Sequence, residues 1–334
     1  MKVAVFSTEP YDRKFLDQAN HLAKTNHQFV YFDTLLKPET ASLAEGFTAI
    51  CVFVNYDLGR ETLETLASQG TQLIALRCTG FNNVDLETAA KLGIKVVRVT
   101  AYSPYSVAEL AVGLILMLNR KLYKAYNRVR DDNFSLNGLL GFDLHGRTVG
   151  IIGTGKIGII FANIMQGFGC NLLGYDPYPN PQFTALENAH YVDLSELLVN
   201  SDIISLHCPL TSENYHLINA KNISDLKHGM MLINTSRGKL IDTKAVISGI
   251  KSGKIAHLGI DVYEQEDGIF FKDLSDTIIQ DDTFQLLQSF PNVVITSHQG
   301  YFTENALDDI ATTTIANITE FEQGKSLTNE VTSH

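Results

Sequence analysis

The chain has 334 residues, 45% hydrophobic and 19% charged, with no biased tract, so it is long enough for two ordinary globular domains and falls outside the disordered and collagen-like classes. Its 26 Lys and Arg against 37 Asp and Glu give a formal charge of −11 with no dense basic cluster, which makes nucleic acid and anionic membrane surfaces poor partners. Four scattered cysteines, Cys51, Cys78, Cys170 and Cys208, form neither a CxxC pair nor a metal-ligand spacing; reduced thiols in a cytoplasmic protein without a metal fit best.

The opening apolar run is too short for a signal peptide and reads as a buried strand at residues 3–6. Further strands are expected at 29–32, 49–54, 73–76 and 96–99, with helical patterns between several of them, such as 13–24 and 61–68. This alternation predicts βαβ units and a parallel, doubly wound sheet. Ser103 then stands as an N-cap before Pro104, and one long helix is expected to run to about Arg130, at a natural seam between domains. Its charge-free core, 110–118, falls well short of the ~20 residues that span a bilayer. A second strand–helix series is expected at 148–152, 171–175, 203–206, 231–234, 257–260 and 293–296, closed by an amphipathic helix over 304–321.

The strand at 148–152 runs into Gly153-Thr154-Gly155-Lys156-Ile157-Gly158, followed by a helical pattern. In such a GxGxxG segment the first glycine permits the tight turn, the second lets the backbone approach a pyrophosphate, and the third lets helix and strand pack closely. The helix start supplies unsatisfied N–H groups and a positive dipole end. Any tight βα turn selects glycine, so the motif alone is weak. The next strand, however, ends at Asp176, eighteen residues beyond Gly158, where an acid accepts hydrogen bonds from the adenosine ribose and repels the 2′-phosphate of NADP. NAD is the expected cofactor. Lys156 belongs to the motif by position, although its side chain is more simply read as exposed.

Three polar residues end predicted strands in the second half: Arg237 in Asn234-Thr235-Ser236-Arg237-Gly238, Glu266 in Asp261-Val262-Tyr263-Glu264-Gln265-Glu266, and His298 in Ser297-His298-Gln299-Gly300. The carboxyl ends of parallel strands line the ligand crevice, so these residues are candidates for catalysis beside a nicotinamide. Hydride transfer to a carbonyl needs a group to hold the substrate, a proton donor, and a partner for that donor. Arginine offers a fork matched to a carboxylate, and histidine titrates near neutral pH beside a carboxylate that favours its charged form. Singly, each has a plain structural reading: a surface charge for Arg237, a structural histidine for His298, solvated carboxylates for Glu264 and Glu266, and a turn cap for Asp261. The joint pattern is what lifts the claim.

With those segments, and with Leu76-Arg77-Cys78-Thr79-Gly80-Phe81-Asn82-Asn83-Val84-Asp85 and His207-Cys208-Pro209-Leu210-Thr211, the whole chain resembles the D-specific 2-hydroxyacid dehydrogenase family, most of all its fermentative D-lactate branch. The resemblance implies that Arg237 binds the substrate, that His298 is the acid/base, and that Glu266 rather than Glu264 pairs with it. It implies that backbone N–H groups around Thr79 and Gly80 hold the substrate carboxylate, with Phe53, Tyr102 and Tyr301 toward its small alkyl group. Cys208, Pro209, Thr235, Ser236 and Asp261 would contact NAD. One departure stands out: the family usually has alanine where this chain has Gly300, which predicts a looser backbone there.

The fold so implied is α/β, two doubly wound parallel-sheet domains with a Rossmann NAD domain (102–299) inserted into a flavodoxin-like substrate domain (1–101 and 300–334), and catalysis in the cleft between them. The expected activity is reversible reduction of pyruvate to D-lactate with NADH, in a homodimer or homotetramer. A dehydrogenase of bulkier branched 2-hydroxy acids, and an NAD-sensing regulator on the same scaffold, are the alternatives.

Overall fold

The computed structural model describes residues 1–54 and 56–332. It divides into two compact units, Met1–Ser103 with Phe302–His334, and Pro104–Tyr301.

In the first unit, β1 (Lys2–Val5), β2 (Gln28–Tyr31), β3 (Ala49–Val52), β4 (Leu73–Leu76) and β5 (Lys95–Arg98) form a wholly parallel sheet in the order β2-β1-β3-β4-β5. β3 and β4 are buried at every position, which is why they read as unbroken apolar runs rather than alternating ones. The connections include α1 (Pro10–Leu22), α2 (Arg60–Ser68) and α3 (Leu86–Lys91). Local chemistry fixes the helix starts: Pro10 opens α1, where the Glu9 N–H donates to Asp12 Oδ2 at 3.1 Å, and Asp85 accepts the Thr88 N–H at 3.0 Å to cap α3.

The second unit begins with α4 (Pro104–Arg120) and α5 (Leu122–Arg130). Its sheet contains β6 (Thr148–Ile152), β7 (Asn171–Tyr175), β8 (Ala189–Tyr191), β9 (Ile203–Leu206), β10 (Met230–Asn234), β11 (Ile255–Ile260) and β12 (Val293–Ile295), parallel throughout, in the order β12-β11-β10-β9-β6-β7-β8. α6 (Lys156–Gly167), α7 (Pro181–Thr184), α8 (Leu194–Asn200), α9 (Thr243–Lys251) and α10 (Asp282–Ser289) connect the strands. Successive strand residues point to opposite faces: Ile151 and Ile233 join one apolar layer with α4 and α6, and Ile152 and Leu232 join the other with α8 and α9. α11 (Glu304–Glu322) then packs on α1 and β4 of the first unit, and its Thr303 cap accepts the Ala306 N–H.

Most element boundaries fall within two residues of those expected from the sequence. The largest departure is the long helix. It is two helices, because Lys121 adopts a left-handed conformation (φ 49°) that ends one and starts the other, with its ammonium turned onto the Leu140 carbonyl. The three-residue strand β8 at the sheet edge also had no counterpart in the pattern. No helix among the described residues is long and apolar enough to cross a membrane.

Candidate active site

The glycine turn follows β6 near the middle of the seven-stranded sheet. Gly153 has φ 95°, and a Cβ there would fall 2.6 Å from the Cys208 nitrogen; a Cβ on Gly158 would fall 2.0 Å from the Gly153 carbonyl oxygen. Only hydrogens fit at both positions, so α6 starts directly on the turn. Gly155, the N-cap of that 12-residue helix, instead faces open space. Asp176, just past β7, is fixed by the same turn: its Oδ2 accepts the Thr154 N–H at 2.7 Å and hydroxyl at 3.2 Å, and its Oδ1 accepts the Tyr178 N–H at 2.9 Å. Thr154 is buried, whereas Lys156 is exposed.

Across the turn, the Cys208 carbonyl accepts the Ser236 hydroxyl at 2.6 Å, joining the loops after β9 and β10. Burial pushes the Cys208 thiol up to about 11. Thr235 Oγ1 is buried and has no hydrogen-bond partner among the described residues. An open helix start, an acceptor-only carboxylate at the next strand end and an orphaned hydroxyl fit a bound dinucleotide.

Arg237 leaves β10 through a turn bracketed by Asn234, whose Nδ2 donates to the Arg237 carbonyl at 2.9 Å and whose Oδ1 accepts the Ser236 N–H at 3.0 Å. The following residue, Gly238, presses on the loop after β11: a Cβ there would lie 2.2 Å from the Tyr263 carbonyl. That loop carries both candidate carboxylates, and they part company. Glu264 Oε1 lies 2.6 Å from His216 Nε2, and its Oε2 accepts the Thr243 hydroxyl at 2.7 Å. Glu266 Oε2 accepts the Tyr263 N–H at 3.1 Å, and its Oε1 lies 2.9 Å from His298 Nδ1. An ionised carboxylate only accepts, so Nδ1 carries the proton in this pair. Among the described residues, Nδ1 is the His298 ring nitrogen that hydrogen-bonds, and Nε2 makes no hydrogen bond.

His298 itself stands at φ 55°, an unfavourable region for a non-glycine residue. Asp261, 1% exposed at the end of β11, holds it there. The Asp261 carbonyl accepts the His298 N–H at 2.7 Å, while its carboxylate accepts the Thr296 hydroxyl and the N–H groups of Gln299 and Gly300, both at 2.8 Å. Burial pushes the Asp261 carboxyl upward against those hydrogen bonds. At Gly300, where a looser backbone is expected from the sequence, the carbonyl also accepts the Ser106 hydroxyl, and Tyr301 beyond it is buried. The sequence reading also missed Phe271, another left-handed residue, whose ring centroid lies 5.8 Å from that of His298. No sequence signal marks it.

In the first unit, Arg77 is buried at the end of β4 and gathers the ends of three strands. It donates to Asp12, to the Phe6 and Ser7 carbonyls and to the Tyr56 hydroxyl, and its guanidinium lies 5.7 Å from the Phe53 ring. Beyond it, the Thr79 carbonyl accepts Arg98 Nη1 at 2.8 Å and the Gly80 carbonyl accepts the Cys78 thiol at 3.2 Å. Tyr102 is half-buried where that unit's N-terminal segment ends.

The family profile described as D-isomer specific 2-hydroxyacid dehydrogenase, NAD binding domain, matches residues 112–300. The chain belongs to that family. The dehydrogenase is 51% identical over 332 residues to D-lactate dehydrogenase of Escherichia coli (strain K12), covering 99% of this chain and 100% of the relative. Among solved structures, it matches Salmonella D-lactate dehydrogenase with a TM-score of 0.89 at 50% identity, covering 99% of this chain and 100% of the other. It matches the pyruvate reductase of Chlamydomonas reinhardtii with a TM-score of 0.93 at 44% identity, covering 98% of each. Like its family, the dehydrogenase uses NAD. Among the described residues, no cluster of side chains with metal-ligating chemistry is present.

Proposed function

We propose that the dehydrogenase reversibly reduces pyruvate to D-lactate with NADH. The observation that carries the reading is the His298–Glu266 pair, with Nε2 left open, on a chain half identical from end to end to an Escherichia coli D-lactate dehydrogenase. When bound, NADH supplies the hydride that reaches the keto carbon. His298 Nε2 gives its proton to the keto oxygen, and Glu266 compensates the imidazolium before that transfer. In D-lactate oxidation, neutral His298 takes the hydroxyl proton back. Arg237 presents its fork to the substrate carboxylate and keto oxygen, and the Thr79 and Gly80 N–H groups hold the same carboxylate. Phe53, Tyr102 and Tyr301 take the methyl side.

For the cofactor, Gly153, Thr154, Gly155, Lys156, Ile157 and Gly158 would carry the pyrophosphate and Asp176 the ribose, with Cys208, Pro209, Thr235, Ser236 and Asp261 along the rest of NAD. The substrate domain would comprise both chain ends, with the NAD domain inserted between them. A cytoplasmic, fermentative homodimer or homotetramer completes the proposal. The oligomer is supported by exposed Leu122, Tyr126 and Val129, which share one face of α5 by their i, i+4, i+7 spacing and which a second copy would cover.

The test is loss of NADH absorbance with pyruvate and a chiral assay of the product. Preference for 2-ketoisocaproate would move the substrate to a branched acid. NADH binding without turnover would make the protein a sensor, and L-lactate would overturn the stereochemistry.

A further inference from the structure

We propose that Arg98 is a positioning residue for substrate binding: its guanidinium fixes and polarises the Thr79–Gly80 peptide so that the Gly80 N–H is presented to the substrate carboxylate. The inference rests on the reading above that the N–H groups around Thr79 and Gly80 bind that carboxylate. Arg98 ends β5, the strand beside β4, and the loop leaving β4 carries Cys78, Thr79 and Gly80. Its backbone is held on both sides: the N–H donates to the Asn329 carbonyl at 3.1 Å, and the carbonyl accepts Nδ2 of Asn317, a buried residue of α11, at 2.9 Å. The side chain folds back toward the loop. Nη1 donates to the Thr79 carbonyl at 2.8 Å, and the guanidinium lies 4.8 Å from the centre of the Phe81 ring.

The consequence follows from peptide geometry. The described chain has no cis peptide, and in a trans peptide the C=O and N–H point in opposite directions. Drawing the Thr79 carbonyl to Arg98 therefore aims the Gly80 N–H the other way. A cation on the carbonyl also withdraws electron density from the amide, which makes that N–H a stronger donor to an anion. The next peptide is constrained in the same manner, since the Gly80 carbonyl accepts the Cys78 thiol. Stacking on Phe81 keeps the planar guanidinium in register, a task lysine does not share.

Arg98→Met and Arg98→Lys, made in the full-length enzyme at saturating NADH, test the proposal. The expected result is a rise of about tenfold in KM for pyruvate in Arg98→Met and a smaller rise in Arg98→Lys, with kcat changed less than KM and NADH affinity retained. The second readout is the Gly80 amide resonance of 15N-labelled enzyme with NADH, titrated with oxamate, a carboxylate that resembles pyruvate and is not reduced. It should move downfield in wild type and by less than half as much in Arg98→Met. Wild-type KM and an intact Gly80 shift in Arg98→Met would overturn the role of Arg98 and leave the carboxylate reading standing. An immobile Gly80 resonance in wild type would overturn that reading, and this inference with it. A fall in kcat at unchanged KM would assign Arg98 a structural role only. Arg98→Lys carries both readouts if Arg98→Met does not fold.

Discussion

Glu266 Oε1 stands 2.9 Å from His298 Nδ1, whereas Glu264, two residues earlier in the same loop, is taken up by His216 and Thr243. The two carboxylates should therefore separate by substitution. Glu266→Gln leaves an amide that supports either tautomer and offers no charge to the imidazolium, so kcat should fall roughly 10- to 100-fold in both directions. Glu264→Gln should keep kcat near wild type and lower stability by about 1 kcal/mol. Steady-state rates and urea midpoints of both variants check this, and equal rate losses would count against it.

Arg237→Lys retains a charge but not the bidentate fork. Pyruvate KM should rise and kcat fall, together lowering kcat/KM by about 100-fold or more, while the dissociation constant of NADH stays within about twofold. Calorimetric NADH titration beside pyruvate kinetics distinguishes this from general damage to the β10 turn.

The Asp176 carboxylate is locked to the glycine turn through Thr154, so it cannot swing aside for a 2′-phosphate. NADH should be preferred over NADPH by at least about tenfold in kcat/KM. Comparable efficiencies would contradict the cofactor assignment.

His207 carries a pH effect on stability rather than on catalysis. Its ring packs 4.7 Å from Phe161, Nε2 meets the Ser205 hydroxyl at 2.9 Å, and burial pushes its pKa down to about 3 from an ordinary 6.5. The unfolded chain binds the extra proton between those values. The stabilising contribution is thus complete above pH 6.5 and is lost as pH falls toward 3, amounting to about 2 kcal/mol by pH 5. His207→Gln, although less stable at neutral pH, should show a flatter decline of urea midpoint between pH 7 and 5 than wild type.

Local pattern carried most of the fold because strands such as β4, β6, β7 and β9 are apolar runs bounded by turns, and the glycine turn carries its own steric logic. The break at Lys121 was not legible: Arg120-Lys121-Leu122 contains no glycine or proline, and the left-handed residue is supported by a contact to Leu140, nineteen residues away. β8 escaped because three edge residues, none of them buried, are too few to show a period. In the site, residue type pointed to Arg237 and His298. Neither type nor spacing distinguishes Glu264 from Glu266, since that depends on His216 arriving from a distant loop. Arg98 reads as an ordinary charge at a strand end until the fold sets Thr79 beside it.

Asp261 ties the end of β11 directly to residues 296–300, thirty-five and more positions along the chain. The segment that carries His298 is thereby anchored directly to the strand end that the intervening polypeptide leaves. Residues 272–280, mostly exposed, form a stretch where length is free to drift among descendants of this sequence. For protein engineering, it is the place to join halves of two relatives or to graft a peptide tag, since the clamp restores the same geometry on either side of the insertion.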